Sequence, residues 1–147
     1  MILLDISIIS ELLRDTPAAR VVEWIDDQPL ETLYISATTM AELQLGMALI
    51  EDKDRRNKGL KDLEQRLPPL FIGRILPFDQ SCIGAFRALV AKAVQHGTPL
   101  REGDAFVAAV AVTHGLVVAS LHIDSFKALG VKSVSPLMAV KTGTAKS

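Results

Sequence analysis

Short apolar runs recur along this chain, each separated from the next by a stretch long enough for one or two helices. The runs are Ile2–Leu4, Leu33–Ser36, Arg74–Pro77, Leu116–Ala119 and Val131–Val134. Strands that alternate with helices in this way imply a parallel sheet covered on both faces. Between the runs, Val21, Trp24 and Ile25 follow Pro17 at helical spacing, and Pro suits a first helical turn. Thr39 to Ile50 reads as a helix with Met40, Leu43, Met47 and Ile50 on one face. Residues 51 to 58 are polar and of mixed charge, and a helix is predicted after them, ending at Arg66 before Pro68-Pro69. Asp79 is placed to cap a helix that runs to His96, with Gly97 as its terminator. A further helix is predicted over Glu102–His114, closed by Gly115.

Composition narrows the class. The 147 residues suit one domain, read here as 1–137 with a flexible tail at 138–147. An apolar share of 49% is enough to build a core. Sixteen Lys and Arg against seventeen Asp and Glu leave a formal charge of −1, which excludes a generic polycation that grips nucleic acid everywhere. The single cysteine, Cys82, excludes an intrachain disulfide and a Cys-based zinc cluster. The longest apolar run, Ala105 to Val112, has eight residues against the roughly 20 that span a bilayer. The first residues lack the basic start of a secretory signal. The expected setting is a reducing cytoplasm with no membrane partner. No Gly-rich phosphate loop follows the first strand, which counts against dinucleotide and P-loop folds.

In a parallel sheet, ligands sit beyond the carboxyl ends of the strands. Acids gather there. Asp5 closes the first strand, Glu42 lies on the helix after the second, and Asp104 opens the helix that leads into the fourth. His122 and Asp124 follow the fourth strand. Two carboxylates about 4 Å apart repel by about 4 kcal/mol at an effective dielectric of 20. A proton or a hard divalent cation relieves that repulsion, and Mg²⁺ or Mn²⁺ matches oxygen donors. The chemistry implied is metal-assisted phosphodiester hydrolysis. Each acid also has a structural role open to it. Asp5 can cap the helix that follows, Thr39-Met40-Ala41-Glu42 has the form of a capping box, and Asp104 suits the positive end of a helix. Asp124 can cap a short turn.

Several stretches resemble the PIN-domain family. They are Met1-Ile2-Leu3-Leu4-Asp5, Ile8-Ile9-Ser10-Glu11, Tyr34-Ile35-Ser36, Met40-Ala41-Glu42-Leu43 with Gly46, and Gly73 to Asp79. Gly103-Asp104-Ala105-Phe106-Val107-Ala108-Ala109 and His114-Gly115-Leu116-Val117-Val118-Ala119 complete the set. The branch they resemble is the VapC toxins of the FitB or plasmid-stability type. The resemblance implies a three-layer α/β/α sandwich with a central parallel sheet and a metal-dependent endoribonuclease. It also implies homodimers and a cognate antitoxin that binds operator DNA with its own domain. Asp5, Glu42 and Asp104 stand at the family's catalytic acids and would hold Mg²⁺ or Mn²⁺, with Asp124 as a further ligand.

The departures from the family fall at the same site. Ile6-Ser7 replaces the usual Thr-Asn, so Ile6 offers no hydroxyl and Ser7 replaces part of the amide hydrogen bonding. Ser120-Leu121-His122 replaces Thr-Arg-Asp/Asn, and Ser135-Pro136-Leu137 replaces Asn-Pro-Trp. His122 is open to three readings: an idle surface imidazole, a phosphate donor or substitute ligand, or the mark of a decayed site. Ser7, Arg101 and His122 are therefore candidates for contacts to substrate or to the ligands. The Arg55, Arg56, Lys58, Lys61 and Arg66 group reads chiefly as a solvated helix face. Trp24, Phe86 and Phe106 read as core or dimer packing, and Cys82 as a small buried hydrophobe. The rival to a ribonuclease toxin is a catalytically impaired partner that dimerises and supports the antitoxin in repression.

Overall fold

The computed structural model describes residues 1–138, so all but Met138 of the expected tail at 138–147 lies outside the described residues. The chain order is β1 (Ile2–Leu4), α1 (Ile6–Leu12), α2 (Ala19–Asp26), β2 (Leu33–Ser36), α3 (Ala37–Ala48) and α4 (Lys53–Leu70). It continues with β3 (Ile75–Leu76), α5 (Ile83–His96), α6 (Glu102–His114), β4 (Val117–Ala119), α7 (Asp124–Ala128) and β5 (Ser133–Val134). The strands form one sheet in the order β3-β2-β1-β4-β5, and every neighbouring pair is parallel.

Successive side chains of a strand point to opposite faces, so each strand feeds two cores. Leu3 and Val118 pack on one face with Leu89 of α5, Val107 and Val110 of α6, and Phe126 of α7. Leu4, Ile35 and Ala119 pack on the other with Ile8 and Ile9 of α1, Val21 of α2, Leu43 of α3, and Leu63 and Leu67 of α4. The result is the three-layer α/β/α sandwich expected. The eight-residue apolar run lies in α6, where Ala105 and Val107 to Ala111 are all buried. A helix apolar on every side must be enclosed, and the small residues at 108, 109 and 111 keep its packing close.

The bounds of α3, α4 and α5 differ from the sequence reading; for α5, Asp79 caps the short turn Gln80–Cys82 and the helix itself begins at Ile83. α3 starts at Ala37, because the Ser36 hydroxyl accepts the Thr39 N–H at 3.1 Å. Thr39 is therefore inside the helix, and Glu42 is not the far half of a capping box. α4 starts at Lys53, where Asp52 accepts from the N–H groups of Asp54 and Arg55. It runs through Pro68 and Pro69 to Leu70 instead of stopping at Arg66. The carbonyls that those prolines leave unpaired lie on exposed Glu64 and Gln65, within reach of solvent.

The topology selects one edge of the sheet for function. From β1 the chain moves outward to β2 and β3, then crosses back to place β4 on the other side of β1. The carboxyl ends of β1 and β4 flank this switch point, the crevice where open parallel sheets bind ligands. The Asp5 N–H donates to the Ala119 carbonyl at 3.0 Å and ties the two ends together.

Candidate active site

Asp5 is only 3% exposed at the mouth of the crevice. Its Oδ1 accepts from the Ser7 N–H (3.0 Å), the Ser7 hydroxyl (2.6 Å) and the Ile8 N–H (3.3 Å). It is thus the N-cap of α1, as one of the two readings expected. Ser7 supplies both an N–H and an O–H, which recovers the hydroxyl partner that Ile6 does not offer. The Ser7 hydroxyl also accepts the Leu121 N–H at 2.9 Å and lies 3.3 Å from the Ser120 hydroxyl. Ser120 in turn accepts the His122 N–H at 3.0 Å. This network links the loop after β1 to the loop after β4.

Burial pushes the Asp5 carboxyl above its ordinary pKa, because desolvation penalises the anion. The hydroxyls of Ser120 and Ser7 and the Ile8 N–H pull the other way, and the charge of Asp104 adds to the rise. Asp5 and Asp104 therefore sense each other's charge across the crevice.

Glu42 and Asp104 are linked through a cation. Arg101 donates from one terminal nitrogen to Glu42 Oε2 (3.3 Å) and from the other to Asp104 Oδ1 (3.1 Å). Its side chain is 55% exposed, while those of Glu42 and Asp104 are 28% and 19% exposed. Gly103 brings the first turn of α6 against Glu42: a Cβ at 103 would collide with the Glu42 carboxylate. Glu42, Arg101, Gly103 and Phe106 line an open cleft of about 380 Å³ together with Thr38 and Ala41. Phe106 forms the cleft floor as part of an aromatic cluster, with ring centroids 4.9 Å from Phe78 and 4.8 Å from Phe86.

His122 and Asp124 are exposed and line a neighbouring cleft of about 470 Å³ with Thr98, Pro99 and Ser125. Asp124 is the first residue of α7 and makes no cap hydrogen bond. Among the described residues neither side chain bonds to Asp5, Glu42 or Asp104, and no group of three or more His, Cys, Asp and Glu side chains forms a ready metal cage. The donor set nevertheless fits a hard divalent ion in kind: every candidate ligand is a carboxylate oxygen, and a positive charge already sits between two of them.

A family model described as the PIN domain matches residues 2–131. This chain belongs to the PIN-domain family. Among PIN relatives, plasmid stability protein StbB of Pseudomonas syringae pv. tomato and toxin FitB of Neisseria gonorrhoeae are each 43% identical to it over 136 residues, which is 92% of this chain and 98% of theirs. A VapC ribonuclease of Sinorhizobium fredii is 40% identical over 92% of this chain and 97% of its own. The crystal structure of FitAcB from Neisseria gonorrhoeae superposes with a TM-score of 0.88 at 42% identity, covering 95% of this chain and all of the matched one (100%). In this PIN domain, two residues at the site were not singled out from the sequence. Ser120 follows β4 as Asp5 follows β1, so the strand-end rule pointed to both. Gly103 stands in the first turn of a helix, where glycine is unfavourable and signals a close approach.

Proposed function

We propose that this PIN domain is a metal-dependent endoribonuclease, the toxin of a toxin–antitoxin pair. What supports the reading is that Asp5 closes β1 at the switch point of the sheet, while Glu42 and Asp104, from two other segments, share one arginine. Burial raises the Asp5 carboxyl, with a smaller push from the charge of Asp104, and Arg101 spans Asp104 and Glu42. Mg²⁺ or Mn²⁺ would be held by those three carboxylates, with Asp124 the further acid at the rim. Bound there, the ion would supply an activated water and neutralise charge building on phosphorus. The chain's own contribution is positioning. Ser7 and Ile8 converge on Asp5 Oδ1 and orient the carboxylate at the end of β1. Gly103 lets Glu42 reach the first turn of α6. His122, whose backbone N–H bonds to Ser120, would be the candidate for a substrate phosphate contact.

The relatives named as a toxin and a VapC ribonuclease support the activity and substrate class, and the FitAcB structure supports an antitoxin partner. We further infer a cytoplasmic homodimer that reaches operator DNA only through the antitoxin. The test is cleavage of structured RNA with Mg²⁺ or Mn²⁺, comparing wild type with Asp5→Asn. Loss of a ligand is expected to slow cleavage by about 100-fold or more. Equal rates reject the assignment. A second reading, a binding partner without nuclease activity, is favoured by one observation: two of the three acids are already paired with Arg101. Antitoxin binding without cleavage, with Mn²⁺ giving no heat, selects that reading.

A further inference from the structure

We propose that Arg101 is a resident counter-cation that spans Glu42 and Asp104 in the metal-free protein and competes with the divalent ion for both carboxylates. The proposal rests on the reading of Asp5, Glu42 and Asp104 as the metal site. Arg101 lies just before α6 in extended backbone and makes no capping hydrogen bond, so its side chain serves the acids and not the helix. Its two terminal nitrogens engage two different carboxylates, at 3.3 and 3.1 Å. A planar fork is pre-organised to offer one nitrogen to each carboxylate, which a single ammonium nitrogen is not. Burial works against the guanidinium charge, but Asp104 and Glu42 outweigh it, so the group stays charged at any working pH.

The surroundings make the contact reversible. More than half of the Arg101 side chain is exposed, so it can swing into solvent without opening the core. The acids are the more enclosed partners: the Glu42 and Asp104 side chains are 28% and 19% exposed, and the end of Glu42 lies against Gly103. Two neighbouring anions at the cleft favour a positive charge between them, and Arg101 supplies one until an ion of twice that charge arrives. Binding the ion then exchanges an internal ion pair for coordination and leaves the guanidinium at the lip of the cleft. Arg101 is thus a positioning residue that sets the metal affinity.

The experiment is calorimetric titration of the full chain with Mn²⁺, using wild type, Arg101→Gln, Arg101→Lys and Asp104→Asn. Removing the competitor is expected to tighten Mn²⁺ binding about three- to tenfold in Arg101→Gln, in line with the loss of two partly exposed ion pairs. Arg101→Lys should fall between, since a single ammonium nitrogen is not pre-organised to engage both acids. Asp104→Asn should lose the binding. In wild type, the Arg101 Nε resonance should shift in step with Mg²⁺ addition, a response that a merely structural arginine would not give. Unchanged or weaker binding by Arg101→Gln, with binding lost in Asp104→Asn, overturns the competition and leaves the carboxylate site standing. Undiminished binding by Asp104→Asn, or no heat and no shift in any of the proteins, overturns both.

Discussion

Asp5 carries two duties that conflict energetically. As a cap it satisfies N–H groups at the start of α1, which stabilises the helix by about 1 kcal/mol. As an anion it is nearly sequestered from water and faces Asp104, which costs stability in the absence of a cation. Asparagine keeps the capping oxygen and removes the charge. Asp5→Asn is therefore expected to raise the metal-free stability at neutral pH by about 0.5–2 kcal/mol while removing activity, the usual exchange at a functional site. The sign with pH follows from the direction of the shift. Below the ordinary value of 3.8 the carboxyl is protonated in both folded and unfolded chains, and its burial carries no charge penalty. That stability is lost as pH rises through the higher folded pKa. Urea denaturation from pH 4 to 8 should show the Asn variant gaining on wild type as pH rises; a constant difference would contradict the cause given. Reading the residues alone left Asp5 open between cap and ligand because either role asks for the same side chain at the same place; the cap is the one the structure shows. Glu42 is different: its structural alternative disappears once Ser36 takes the Thr39 N–H.

The helices were readable wherever a terminator has only one use. Gly97 and Gly115 have positive φ and close α5 and α6 at the residues expected. Starts were less legible, because α3 offers Ser36, Thr38 and Thr39 in succession and only the strand end at Ser36 decides which hydroxyl caps. The end of α4 was hidden for another reason. Pro68 and Pro69 break a helix whose carbonyls are buried, but here the affected turn faces water. Gly103 shows the converse case, a residue that weakens its helix for the sake of a neighbour. A Cβ there would collide with the end of the flexible Glu42 side chain and not with backbone. Gly103→Ala is therefore expected to keep the fold and to gain up to about 1 kcal/mol of helix propensity. It should displace the Glu42 carboxylate and reduce Mn²⁺ affinity, by calorimetry, by about 10-fold or more. A variant that loses stability and keeps its affinity would show that the glycine serves α6 alone.

The sheet order is what the proposed three-carboxylate site depends on, because its acids are separated by dozens of residues. β1 is central, β2 leads into α3, and the return crossing through α5 and α6 brings Asp104 back over the end of β1. The alternation of runs and helices made the parallel sheet legible. Alternation alone carries no strand order, so the strand-end rule marked Asp5, Glu42 and Asp104 as candidates and the family resemblance supplied a shared role for them. The same topology makes metal binding a stability measurement. An ion held by Asp5, Glu42 and Asp104 clamps β1, α3 and α6, elements that touch both core layers, so it binds only the folded chain. At a free concentration 100 times its dissociation constant, such an ion stabilises by about 2.7 kcal/mol. For a domain of this size that corresponds to a rise in Tm of roughly 5–10 °C. Thermal unfolding of wild type should therefore shift upward with Mn²⁺ concentration and return on chelation, whereas Asp104→Asn should unfold at one temperature throughout. Equal shifts in both proteins would place the ion on some other surface, and with it the chemistry assigned to this edge of the sheet.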